Sequence, residues 1–166
     1  ELSLPRVMME VGLIPNTVRK LAFTLGPGGI TKTSNLIPNL IPESVRELDL
    51  YADYSFKVSL KSLLPETLVK LVCHNANFSY EIGDLPSKLE YIDFGTDQTS
   101  VVNYNFLPNS LIVIKNLPPI KQENHNVSLP TSLTSLQMSQ STYQTSFLDT
   151  NTLVPNHITF LNITIN

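Results

Sequence analysis

The 166-residue sequence has no tryptophan, one cysteine, six glycines and only 15% charged residues. Each shortage excludes something. A single cysteine leaves no internal disulfide framework and no cysteine-rich zinc site. No run reaches the roughly 18 apolar residues of a membrane-spanning helix, so membrane insertion is not expected. The opening Glu1-Leu2-Ser3-Leu4-Pro5 lacks the charged and apolar regions of a signal peptide. Eleven basic residues against 14 acidic give a net charge of −3. With no Lys/Arg cluster, the sequence carries no footprint for nucleic acid.

What is present is apolar and rich in proline. A hydrophobic fraction of 42% is too high for a disordered tail. Twelve prolines against six glycines is the unusual ratio, and the spacing of the prolines accounts for it. Pro15, Pro42, Pro65, Pro86, Pro108, Pro130 and Pro155 recur at intervals of about 21–27 residues, inside the range of solenoid repeats. The residue before each of these prolines is aliphatic in all seven copies. So are the residues three after it and six after it (Leu21, Leu48, Leu71, Ile92, Ile114, Leu136 and Leu161). Eight after proline come Phe23, Leu50, Cys73, Phe94, Asn116, Met138 and Ile163, apolar in six of the seven. At 42% hydrophobic residues, one all-apolar column of seven has a chance of about 0.2%, and three occur together.

The register assigns a role to each column. The residue before proline is held extended. Proline then sets φ for a turn, and the Ser or Thr that often follows can hydrogen-bond turn backbone. Positions six and eight lie on one face of a short strand, and positions five, seven and nine on the other. One such strand cannot bury its apolar face alone, but parallel stacking of neighbouring copies buries it. β-branched residues, Asn, Ser, Thr and regular proline disfavour helix through most of each copy. The expected fold is therefore a repeat solenoid with a parallel β-sheet of about seven short strands, one per coil. Its outer side is expected to be mostly loops and short 3₁₀ turns. Residues 1–13 form a partial N-terminal segment, and residues 14–166 one solenoid domain of seven repeats, expected to be part of a longer chain.

This wording resembles the leucine-rich-repeat superfamily, most closely its FNIP-repeat branch. That branch reads Leu-Pro-x-Ser-Leu-x-x-Leu-x-Leu, then Phe-Asn-x-x-Ile, over about 22 residues. The resemblance covers residues 14–166. Leu64 to Ile82 matches best, with Phe78 and Ile82 at the Phe and Ile places, and Phe56 and Leu60 repeat that spacing one copy earlier. Ser79 and Lys57 stand where Asn is usual. Asn116 occupies a core column and is followed by Leu117-Pro118-Pro119, so the fifth coil is expected to be irregular, with a shortened strand. Gly26-Pro27-Gly28-Gly29 and Pro38 predict a bulging loop in the first copy.

Several residues could suggest chemistry, and the repeat reads each of them differently. Gly26 to Thr33 is one residue away from a phosphate-binding loop, with Thr31 at the place of the last glycine. Asn35, Pro38 and Pro42 leave no room for the helix such a loop requires. Cys73 and His74 are neighbours on a strand and so point to opposite faces, which excludes a thiolate–imidazole pair. His125 and His157 fall in a loop and in a post-proline turn, without metal spacing. No cofactor, metal or catalytic centre is expected. The sequons at Asn77, Asn126 and Asn162 number about as many as chance supplies, so they permit a secreted origin without favouring it.

The strand-face columns vary where the core columns do not. Five after proline come Lys20, Glu47, Lys70, Tyr91, Val113, Ser135 and Phe160. Seven after come Ala22, Asp49, Val72, Asp93, Lys115, Gln137 and Asn162. Nine after come Thr24, Tyr51, His74, Gly95, Leu117, Ser139 and Thr164. Packing fixes the core, and the face is free for recognition. Lys20, Glu47 and Lys70 read as a solvated ladder of alternating charge. Asp49, Tyr51, Lys70, His74, Tyr91 and Asp93 gather on three consecutive coils and form the candidate partner-binding set. The tyrosines equally could stack on neighbouring strands and shield backbone. The resemblance implies a scaffold that binds a protein partner through its strand face, often beside F-box or kinase domains. A non-catalytic, cytoplasmic interaction module is the expectation. A secreted or cell-surface protein that recognises glycans or other cells is the alternative, which glycan on Asn77 or Asn126 would favour. Ile158, Leu161 and Ile163 of the last copy are expected to be covered, by continuation of the chain or by packing of another chain or domain on this end.

Overall fold

The computed structural model describes residues 2–3, 11–25, 39–52, 60, 63–74, 85–96, 107–119, 128–148 and 153–165. Among them, eight strands lie in one wholly parallel sheet, in chain order: β1 (Leu2–Ser3), β2 (Lys20–Leu25), β3 (Glu47–Ala52), β4 (Lys70–His74), β5 (Tyr91–Asp93), β6 (Val113–Leu117), β7 (Ser135–Ser139) and β8 (Phe160–Thr164). Seven are the strands of the seven coils. The eighth, β1, lies in the segment before the first repeat and pairs through Leu2 with Leu21.

Two sets of backbone bonds recur at each coil. The N–H three after each of the seven prolines donates to that proline's carbonyl at 3.0–3.1 Å, closing the turn. The carbonyl four after proline then accepts two N–H groups from the following coil. Arg19 O takes those of Arg46 and Glu47, and Thr134 O those of Thr159 and Phe160; all six junctions fall between 2.8 and 3.1 Å. Strand register is thereby set at the entry to each strand. Leu48, Leu71, Ile92, Ile114 and Leu136 stand in one continuous row and are wholly buried. The residues before and three after proline pack behind them, joined by Leu50, Cys73, Phe94 and Met138 from the second row. Leu60 and Phe147 join the same core from the segments between strands.

The Ser and Thr two after proline do more than support their own turn. Thr67 Oγ1 donates to Glu43 O at 2.6 Å, Ser110 Oγ to Leu89 O at 2.6 Å, and Ser132 Oγ to both Asn109 O and Leu111 O. Each acceptor belongs to the preceding coil. The hydroxyls therefore cross-link neighbouring turns, and in the seventh coil His157 Nε2 reaches Pro130 O in the same way. Ser44 is the exception: its buried Oγ finds no hydrogen-bond partner among the described residues.

Three expectations need correcting. In the fifth coil the strand keeps its full length from Val113 to Leu117, and the irregularity is a bulge between Ile114 and Leu117. Asn116, expected in the core, sits at φ 50°, and Leu117, expected on the strand face, is buried opposite Met138 in its place. An amide is costly to bury and Asn tolerates left-handed backbone, so one extra residue exchanges the two. The short strand is β5, in the fourth coil. In the sixth coil Ser139 is buried, not on the open face. Its hydroxyl accepts from Thr142 N and caps a helical turn, α1 (Gln140–Tyr143), which runs on as a π-helical turn, Gln144–Leu148. A stretch free of proline and glycine after a Ser cap allows helix where loop was expected, and the segment places Phe147 in the core.

The sequons at Asn77 and Asn126, the glycine-rich stretch 26–33, and Phe56, Phe78 and Ile82 lie outside the described residues. Asn162 is exposed on β8. At that end Leu161, whose counterparts in the earlier coils are core residues, is 42% exposed, beside Phe160 at 55%.

The hydroxyl cross-links give a stability test. Ser110→Ala should lower the unfolding free energy by about 1 kcal/mol, since it leaves a carbonyl unpaired. Ser44→Ala removes no bond and should stay within about 0.5 kcal/mol of wild type in urea titrations.

Candidate functional site

Parallel register carries the candidate residues onto one face in rows. Glu47, Lys70, Tyr91 and Val113 form one row, and Asp49, Val72, Asp93 and Lys115 the next. Tyr51 and His74 form the third. Strands about 4.8 Å apart place adjacent rings at stacking distance. Tyr51 and His74 are parallel within 8°, with centroids 4.2 Å apart, and Tyr51 remains 41% exposed. Cys73, the strand neighbour of His74, points the other way and is wholly buried, so the two form no thiolate–imidazole pair.

The charge ladder is only half formed. Lys20 Nζ reaches Glu47 Oε2 at 2.9 Å, an exposed pair worth less than about 1 kcal/mol. Lys70 leaves Glu47 to Lys20 and lies over Tyr91, its ammonium 5.2 Å from the ring centroid. Lys115 approaches the same ring at 5.7 Å. A cation over a half-buried tyrosine such as Tyr91 contributes about 0.5–1 kcal/mol or somewhat more. Among the described residues, neither Lys70 nor Lys115 has a carboxylate within ion-pair distance.

Asp93 is already employed. Its Oδ1 accepts from Gly95 N at 3.0 Å and from Asn116 Nδ2 at 2.8 Å. The carboxylate holds the turn that ends β5 and ties it to the bulge in β6. Gly95 lies at φ +77°, and a Cβ there would meet the main-chain carbonyl oxygen of Cys73 at 2.4 Å. Only glycine lets the chain leave the sheet so close to its neighbour. Reading the sequence missed Lys115, Gly95 and Asn116 as neighbours of the set. The signal for Lys115 was its place beside Asp93 in the same column. For Asn116 it was an amide standing in a core column, and for Gly95 a glycine standing directly after one.

The face between β2 and β4 holds a shallow hollow of about 160 Å³ lined by Lys20, Glu47, Asp49 and Lys70, smaller than a small-molecule site. A hollow of about 590 Å³ lies by the first two proline turns, with Asn16, Asn39 and Glu43 in its lining. No group of three or more His, Cys, Asp or Glu side chains among the described residues is placed to hold a metal ion.

No family model matches the chain, and no curated protein matches it. Among solved structures it is similar to CroV588, a circular LRR protein, with a TM-score of 0.66 and 24% sequence identity. The match covers 95% of this chain and 22% of that one, so the chain spans about a fifth of that protein's length. At this identity the likeness concerns the fold alone. This chain is a leucine-rich-repeat-like solenoid.

Gly95→Ala should destabilise by at least about 2 kcal/mol, combining left-handed strain with the clash. Gly12, at φ +91° with nothing near its Cβ position, should cost only about 1 kcal/mol on the same change. Urea unfolding of the two variants separates strain from close approach.

Proposed function

We propose that this chain is a non-catalytic scaffold of the FNIP-repeat kind that binds a protein partner across the strand face of β3, β4 and β5. The observation that carries the reading is the aromatic and cationic group standing there: the stacked Tyr51–His74 pair and Tyr91 beneath Lys70 and Lys115. Tyrosine gives a large contact area at low entropic cost and is enriched at interface hot spots. The later strands offer Ser135, Gln137 and Asn162 in the same columns. Leucine-rich-repeat-like folds are commonly protein-interaction scaffolds, which favours recognition over catalysis. The FNIP affiliation rests on the Leu-Pro-x-Ser wording, in which the serine has a physical purpose, the bond to the preceding coil.

A Tyr51→Ala/Tyr91→Ala variant should bind the partner captured by the wild-type chain from the source organism more than tenfold less tightly. Both side chains lie outside the core, so its melting temperature should change little. Equal binding by the variant would move the recognition surface away from this face.

A further inference from the structure

Two ammonium groups, neither with a counterion among the described residues, converge on one tyrosine. Lys70 comes from the third coil and Lys115 from the fifth, and they stand 5.2 and 5.7 Å from the Tyr91 centroid in the fourth. Three other charges of the face are already engaged. Lys20 and Glu47 neutralise one another, and Asp93 accepts two internal hydrogen bonds. An ammonium has three donors, and a ring face satisfies one direction only, so donors on both lysines are left for a ligand. A carboxylate beside Tyr91 would accept from the ammonium on its side of the ring.

One row further along the strands the sign reverses. Val72 lies between Asp49 and Asp93, and an anion there would be repelled. Two residues beyond, the Tyr51–His74 stack presents a flat aromatic platform. From the row of Lys70 to the row of His74 the strand advances four residues, about 13 Å, which is the span of four residues of an extended peptide. We propose that the segment bound here is an extended acidic peptide. Its Asp or Glu sits beside Tyr91, against Lys70 or Lys115, and an aromatic residue four places away rests on Tyr51 and His74. The residue midway between them is uncharged or basic. This rests on the strand-face reading above and adds the partner's charge and spacing.

The test uses labelled synthetic peptides in fluorescence anisotropy at low salt. One carries Glu and Tyr four residues apart in a Ser/Gly background. A second has Lys in place of the Glu, and a third has the Glu moved to the midway position. The first should bind at least about fivefold more tightly than either of the others. In Lys70→Glu/Lys115→Glu the preference should reverse toward the Lys peptide, while Lys70→Arg/Lys115→Arg should keep the original order. Equal binding of all three peptides, or an order unchanged by charge reversal, overturns the inference. If the double reversal does not fold by circular dichroism, Lys115→Glu alone should still weaken the Glu peptide, and an unchanged affinity there overturns it too. A natural partner lost by Tyr51→Ala/Tyr91→Ala but retained by Lys70→Glu/Lys115→Glu would leave the face reading standing and overturn the acidic assignment.

Discussion

Each junction between coils depends on one carbonyl. The residue four after proline offers its oxygen to two successive N–H groups of the next coil, and the proline turn directly before it presents that oxygen at the same height each time. Both bonds are main chain, so the side chain at this position is unconstrained, and Arg19, Val69, Glu90 and Thr134 serve equally. The turn is likewise closed by a main-chain bond to the proline carbonyl. With strand entry fixed this way, the outer part of a coil can vary in length without disturbing the sheet. The long step from Pro15 to Pro42 and the short one from Pro65 to Pro86 therefore coexist with unbroken pairing from β2 to β5.

Burial of the leucine rows then supplies the driving force, since each strand hides its apolar face only against its neighbours. The Ser and Thr hydroxyls contribute more modestly, by donating to carbonyls of the preceding turn. The same stacking brings the face residues of successive coils to about 4.8 Å of one another. Side chains a whole repeat apart in sequence meet there as if adjacent. Tyr51 and His74 stack for this reason, and Lys70 and Lys115 reach the ring that lies between their strands.

The fourth and fifth coils show how the face is adjusted locally. Gly95 turns the chain sharply away after the short β5, and Asn116 inserts one extra residue in the next coil. Asp93 holds both through a single carboxylate oxygen. The bulge returns Leu117 to the core, so packing continues while the direction of the neighbouring side chains changes. Lys115, within that bulge, is the residue that completes the cationic pair over Tyr91.

The sequence by itself determined the repeat, the strand positions, the core columns and the face on which Asp49, Tyr51, Lys70, His74, Tyr91 and Asp93 stand. All of these follow from period-two alternation counted from a proline, which is local. Tertiary structure alone decided the destination of the serine hydroxyls, the exchange of Asn116 and Leu117, the helical turn after Ser139, and which partner each charged side chain chose. A hydroxyl two residues after proline can bond its own turn or the preceding one, and only the stacked neighbour settles which carbonyl lies nearer. Lys70 had Glu47 on one side and Tyr91 on the other at equal strand spacing. It lies over Tyr91 while Lys20 pairs with Glu47, contacts between coils that no single repeat contains.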